Sequence, residues 1–145
     1  MNDMEILIGT EKDADELGRL LWDFNKSIFP QCNDADKERP EETICYLMKD
    51  KDKIIAGIVG KFKKNYPLYV DIIFVEEAFR KQDYASFMLN KLEAEAKSRG
   101  CYLAFLDTMN VQAVAFYEKC GYSVFGKLDN FPHPGICYFW MKKEI

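Results

Sequence analysis

The stretch from Leu68 to Leu106 constrains this chain more than any other. An apolar run, LYVDIIFV, is followed by the turn FRKQDYA, by the segment YASFMLNKLEAEAKSRG and by a second apolar run beginning CYLAFL. Within the middle segment Ala85, Met88, Leu89, Leu92 and Ala96 share one helical face, which requires a helix covered on one side. Gly100 stands where a left-handed stop would close it. Strand, helix and strand in that order place the chain among mixed α/β domains.

The rest of the chain can be read around this unit. MEILIG reads as a first strand. Thr10, with Asp13 three residues on, resembles a capping box, and Ala14, Leu17, Leu21, Phe24 and Ile28 then repeat at helical spacing as one buried stripe. Residues 29–42 are polar, hold Pro30 and Pro40, and read as a loop with a short second helix. TICYLM and KIIAGIVGKF, separated by KDKD, have the pattern of a β-hairpin. After the strand 101–106, NVQAVAFYEKC reads as a short helix stopped by Gly121, and YSVFGK and ICYFWMKK as closing strands.

Composition bounds the class. The 145 residues are 48% hydrophobic and 30% charged, with a net charge of −4. Those values fit one ordinary domain, and a chain of this length buries roughly 68–70% of its surface without needing a metal or disulfides. Five cysteines form no C-x-x-C pair and leave one unmatched, which points to free thiols and the cytoplasm. The N-terminus lacks a signal-peptide pattern and no apolar run approaches about 18 residues, so no membrane association is expected. The acidic balance disfavours nucleic acid and weakly favours a cationic small partner.

The turn Arg80-Lys81-Gln82-Asp83-Tyr84-Ala85, together with Asn110-x-x-Ala113-x-x-x-Tyr117-Glu118-Lys119-Cys120-Gly121-Tyr122, resembles the GNAT superfamily of N-acetyltransferases. The likeness is best over residues 68–127. The family's phosphate turn reads Q/R-x-x-G-x-G/A; here its central glycine is Asp83. The resemblance implies a single domain over 1–145 in the α/β (α+β) class. Its mixed, largely antiparallel central sheet would hold about six to seven strands, flanked by about four helices. It also implies acetyl-CoA as co-substrate, no metal, and a primary amine as acceptor.

By the same resemblance the pyrophosphate of coenzyme A would sit on the helix-opening amides from Gln82 through Ser86, with Tyr84 and Ala85 between them. The physical basis is the unpaired N–H groups and positive dipole end of a helix start. Arg80 and Lys81 add charge. Asp83 tolerates left-handed backbone, but its carboxylate close to a phosphate costs on the order of 1 kcal/mol at water-like screening. The residue also suits a plain helix N-cap, and both readings stand. The strand residues Ile73, Phe74 and Val75 would line the pantetheine arm, or form only a core strand. Asn110 and Phe116 would help hold the cofactor; Asn110 is equally a helix cap and Phe116 equally a core aromatic.

For the chemistry, the resemblance makes Tyr117 the acid that protonates the departing thiolate, against the alternative of a core aromatic. The acceptor ammonium must lose a proton before it can attack. Asp71, Glu76, Glu77 and His133 are the candidate bases, and Asp71 stands out because it interrupts an apolar strand; alternation puts it on one face with Ile73 and Val75. Two other functions fit less well: an acyl-CoA-binding or partner-binding degenerate GNAT domain, and a thiol enzyme using Cys120 or Cys137 with His133. Residues 25–42 and 128–136 are expected to set acceptor choice. Exposed sheet edges leave a homodimer as an expectation.

Overall fold

The computed structural model describes residues 4–145. Its contacts divide the chain into two compact units, Met1–Arg39 and Pro40–Ile145.

In the first unit, α1 spans Glu11–Ile28 and α2 spans Asp34–Lys37. The capping box forms as expected: the Asp13 amide donates to Thr10 Oγ1 at 3.3 Å, and the Thr10 amide donates to Asp13 Oδ2 at 2.7 Å. The Trp22 indole N–H reaches Asp34 Oδ1 at 2.8 Å and ties the two helices together. Two expectations change. Residues 4–10 form no strand, because a strand is defined by a hydrogen-bonded neighbour and apolar alternation alone does not supply one. The stripe of Leu17, Leu21 and Phe24 is not buried within the unit, since one long and one short helix offer no second apolar layer to cover it.

The second unit holds six strands: β1 (Glu42–Asp50), β2 (Lys53–Phe62), β3 (Leu68–Val75), β4 (Leu103–Thr108), β5 (Ser123–Asp129) and β6 (Cys137–Glu144). Their order is β1-β2-β3-β4-β6-β5. Every neighbouring pair is antiparallel except β3 and β4, which are parallel and joined through α3 (Tyr84–Ser98). A parallel neighbour needs a crossover of this kind. The fourth helix, α4 (Val111–Lys119), links β4 to β5. The six strands and four helices match the expected class of sheet.

One face of the sheet packs on α3. Ile58, Leu68, Leu89, Leu92, Leu106 and Met141 are fully buried there. Gly60 lets α3 approach, since a Cβ at that position would stand 2.7 Å from Leu92 Cδ1. The helix ends as Gly100 predicts. Its φ is 93°, its amide donates to the Lys97 carbonyl and the Cys101 amide to the Ala96 carbonyl, the paired bonds of a Schellman stop.

A buried carboxylate and a part-buried lysine pair at the edge of this helix. Glu93 of α3 accepts from the Tyr122 hydroxyl at 2.9 Å and from Lys143 Nζ at 2.7 Å, so both carboxylate oxygens are engaged.

Candidate active site

The parallel pair is short, and that shortness makes the site. Strands β3 and β4 are in register only at Leu68↔Ala104 and Tyr69↔Phe105; beyond these residues they separate. The Glu76 amide donates to the Ile55 carbonyl on β2, so by strand alternation the main-chain groups of Ile73 and Val75 turn toward the gap. The Val75 carbonyl is not free, as it accepts from Arg80 Nε at 3.0 Å.

A cleft of about 610 Å³ opens at this separation. Its wall includes Ile73, Phe74 and Val75 of β3, then Arg80, Lys81, Asp83, Tyr84, Ala85 and Ser86 of the turn and helix entrance, and Asn110, Phe116 and Tyr117 around α4. Of the residues assigned to the cofactor or to catalysis, Gln82 and Asp71 do not line it. Phe79, Gln112, Ala113 and Lys119 do, and sequence reasoning gave them no role. Ala113 and Lys119 stand inside the motif already quoted, so the signal for them was present.

The turn forms without its glycine. Asp83 takes the left-handed conformation, φ 61° and ψ 13°, and Lys81 also has a positive φ of 62°. Asp83 occupies the cap position of α3, yet its side chain makes no capping bond. Its carbonyl accepts from the Phe87 amide and from the Ser86 hydroxyl, each at 3.0 Å. The amides of Tyr84, Ala85 and Ser86 have no protein acceptor among the described residues. Three donors at the positive end of a helix therefore face a cleft that also holds Arg80, Lys81 and Lys119. A diphosphate fits this donor set; the Asp83 carboxylate is the one element that opposes it.

On α4, Asn110 caps the helix: its Oδ1 accepts from the Gln112 amide at 2.9 Å, so it is both a cap and a cleft residue. Tyr117 is 9% exposed and packs edge-on against Phe116 and Tyr122, with centroids 5.1 and 5.8 Å away. Its hydroxyl makes no hydrogen bond to a described residue. Burial, with smaller contributions from Cys120 and Asp107, pushes the phenol up to about 12. It stays protonated at any ordinary pH.

Asp71 lies elsewhere than alternation placed it. The register between β2 and β3 shifts at Val59/Gly60, leaving Asp71 as the extra residue of a bulge. Ile73 and Val75 pack against the core, whereas Asp71 pairs with Lys61 at 3.2 Å, and Lys61 stands across from Tyr69. It thus points to the opposite face from Ile73 and Val75. Glu76 pairs with Lys53, Glu77 sits in a one-turn 3-10 helix, and His133 is exposed in the turn before β6. None of the three lines the cleft.

Burial pushes the Cys120 thiol up, and a hydrogen bond to Asp129 does the same for Cys137. A thiolate is disfavoured at both. Among the described residues no group of three His, Cys, Asp or Glu side chains is placed to hold a metal ion. No described helix is long and apolar enough to cross a membrane.

A sheet parted at one point, with open helix amides on one side of the parting and a buried phenol on the other, is the architecture of an enzyme that moves an acyl group from a phosphate-bearing carrier. The Acetyltransferase (GNAT) family pattern matches residues 14–122, and the chain belongs to that family; it is an acetyl-CoA-dependent acetyltransferase. Over 99 residues it is 36% identical to an acetyltransferase of Agrobacterium fabrum, covering 68% of this chain and 71% of that one. It is 28% identical over 109 residues to the blasticidin-S acetyltransferase of Streptomyces morookaense, covering 74% and 79% respectively. The crystal structure of an acetyltransferase from Bacillus cereus superposes over the whole of both chains with a TM-score of 0.71 at 29% identity.

Proposed function

We propose that this protein transfers the acetyl group of acetyl-CoA directly to the primary amine of a small molecule, with the chain acting as one acetyltransferase domain. The observation that carries this reading is the set of unfilled amides at Tyr84, Ala85 and Ser86, opening on the same cleft as Tyr117.

In this reading the helix-opening amides and Arg80 hold the diphosphate, Phe74 and the β3 main chain flank the pantetheine arm, and Asn110 and Phe116 border its inner end. The amine nitrogen forms a bond to the carbonyl carbon as the carbon–sulfur bond breaks. Asp71, acting through water, takes the proton that the ammonium gives up before attack, and the second nitrogen proton, made acidic once nitrogen has bonded to carbon, passes to water as the coenzyme A thiolate leaves. Tyr117 serves the leaving sulfur. Because its phenol is pushed up to about 12 and a thiol titrates near 8.5, its contribution is a hydrogen bond to the developing thiolate rather than complete proton delivery. The relative named for blasticidin-S acetylation supports a small-molecule acceptor.

Titration calorimetry with acetyl-CoA tests the binding half of the reading. Heat of binding that disappears when Arg80 is replaced by Ala supports it. No heat at high micromolar acetyl-CoA rejects it.

A further inference from the structure

We propose that Asp107 is the group that receives the acceptor's ammonium, on the sheet face opposite the diphosphate cleft, and that the rings around it select amines carried on a flat apolar group. The inference rests on the transfer reading above and narrows the acceptor class.

Asp107 lies on β4 next to Leu106, and Ala104 and Leu106 are buried against the helices, so alternation turns Phe105 and Asp107 to the other face. Tyr69 donates its hydroxyl to Asp107 Oδ1 at 2.6 Å from across the gap between β3 and β4, and Tyr138 of β6 donates to Oδ2. Trp140 stands directly across from Asp107 in the β4–β6 register. Its ring lies 4.9 Å from that of Tyr138 and 6.3 Å from that of Phe131.

This carboxylate is set up differently from a structural one. Two phenols fix its direction but occupy only part of its acceptor capacity, which is about four lone-pair sites. No Lys or Arg pairs with it among the described residues. Aromatic ring faces add negative potential and an apolar wall, which together suit a cation joined to a flat group.

Its location suits attack on the thioester. Asp107 sits two residues past the last β3–β4 pair, Tyr69↔Phe105, and Tyr117 lines the cleft that opens at the same separation. An amine held at Asp107 would approach the acetyl carbon from one face of the sheet while the thioester enters from the other. Asp71 lies on the same face as Tyr69, where it is paired with Lys61 at 3.2 Å.

The test compares benzylamine, an ammonium ion at neutral pH, with aniline, which is neutral there, each titrated by ligand-observed NMR into protein saturated with coenzyme A. The wild-type protein should bind benzylamine more tightly. Asp107→Asn should weaken benzylamine by about tenfold or more, the usual effect of losing a charged hydrogen-bond partner, while aniline and coenzyme A change less than about twofold. Equal weakening of both amines, no weakening of benzylamine, or a wild-type protein that does not discriminate overturns the proposal. Should Asp107→Asn fail to fold, Trp140→Leu carries the same test, with an expected loss for benzylamine of about threefold. Failure of the underlying reading shows separately, as absence of coenzyme A binding.

Discussion

Glu93 and Asp107 are both carboxylates that accept from tyrosine, and they stand on opposite faces of one sheet with opposite environments. Glu93 is buried and held by Tyr122 and Lys143, one partner for each oxygen. Asp107 is half-buried, held by Tyr69 and Tyr138, and has no cation beside it among the described residues. A buried carboxylate with its own lysine is complete within the chain. One with phenols alone has its orientation settled and its charge unanswered, which is the condition of a group that meets something from outside.

The largest expected effect breaks the first half of that contrast. Glu93→Ala removes the acceptor of the buried Tyr122 hydroxyl and the partner of the part-buried Lys143, and should destabilise the protein by about 2–4 kcal/mol in urea unfolding. If the loss is no larger than that of Asp107→Ala, the two carboxylates do not differ as described.

Tyr117 is in ring contact with Tyr122, the partner of Glu93, and lines the cleft where β3 and β4 part. Tyr117→Phe keeps the packing and removes only the hydroxyl. Turnover should fall by about 10² to 10³-fold while acetyl-CoA affinity stays the same. Unchanged turnover would make Tyr117 a core aromatic and no more.

The third prediction concerns alkaline pH. Burial raises the folded-state phenols of Tyr117 and Tyr122 above the ordinary value of 10. The folded state then holds its phenolic protons more tightly than the unfolded chain, so the stabilisation is complete below about pH 10 and is lost as pH climbs beyond it. For Tyr117 the loss should approach about 2 kcal/mol near pH 12, and Tyr117→Phe or Tyr122→Phe should flatten the fall seen in thermal melts. A melt profile independent of pH over that range contradicts the burial argument.

The smallest effect concerns a third carboxylate, Asp83. Asp83→Gly should tighten acetyl-CoA about tenfold by calorimetry, from removal of roughly 1 kcal/mol of repulsion. Asp83→Asn removes the charge and keeps a residue that tolerates left-handed backbone. Equal gains in the two variants assign the effect to charge; a fall in affinity for either makes Asp83 a requirement of the turn.

What sequence made legible follows from range. The capping box at Thr10, the hairpin from β1 to β2, the Schellman stop at Gly100 and the motif from Asn110 to Tyr122 are all local, and local patterns carry their own geometry. The motif also identified Tyr117 and the phosphate turn as a candidate site. Three features were hidden. The bulge at Asp71 reverses which face its neighbours occupy, and nothing in an apolar run marks where an extra residue will be accommodated. The insertion of β6 between β4 and β5 is a matter of pairing, which strand propensity does not encode. Asp107 meets partners 38 residues before it and 31 after it, so its surroundings exist only once β3, β4 and β6 lie side by side.

The parting of β3 from β4 has a mechanical side. On one side lie β1, β2 and β3, on the other β4, β6 and β5, and the two leaves are stitched by only two residue pairs and by the Tyr69–Asp107 bond just beyond them. Beneath that stitching the two leaves share one core, with Leu68 of β3, Leu106 of β4 and Met141 of β6 fully buried in the same cluster. Extending the stitching by even one pair, at Val70 and Leu106, would narrow the cleft that opens where the two strands part.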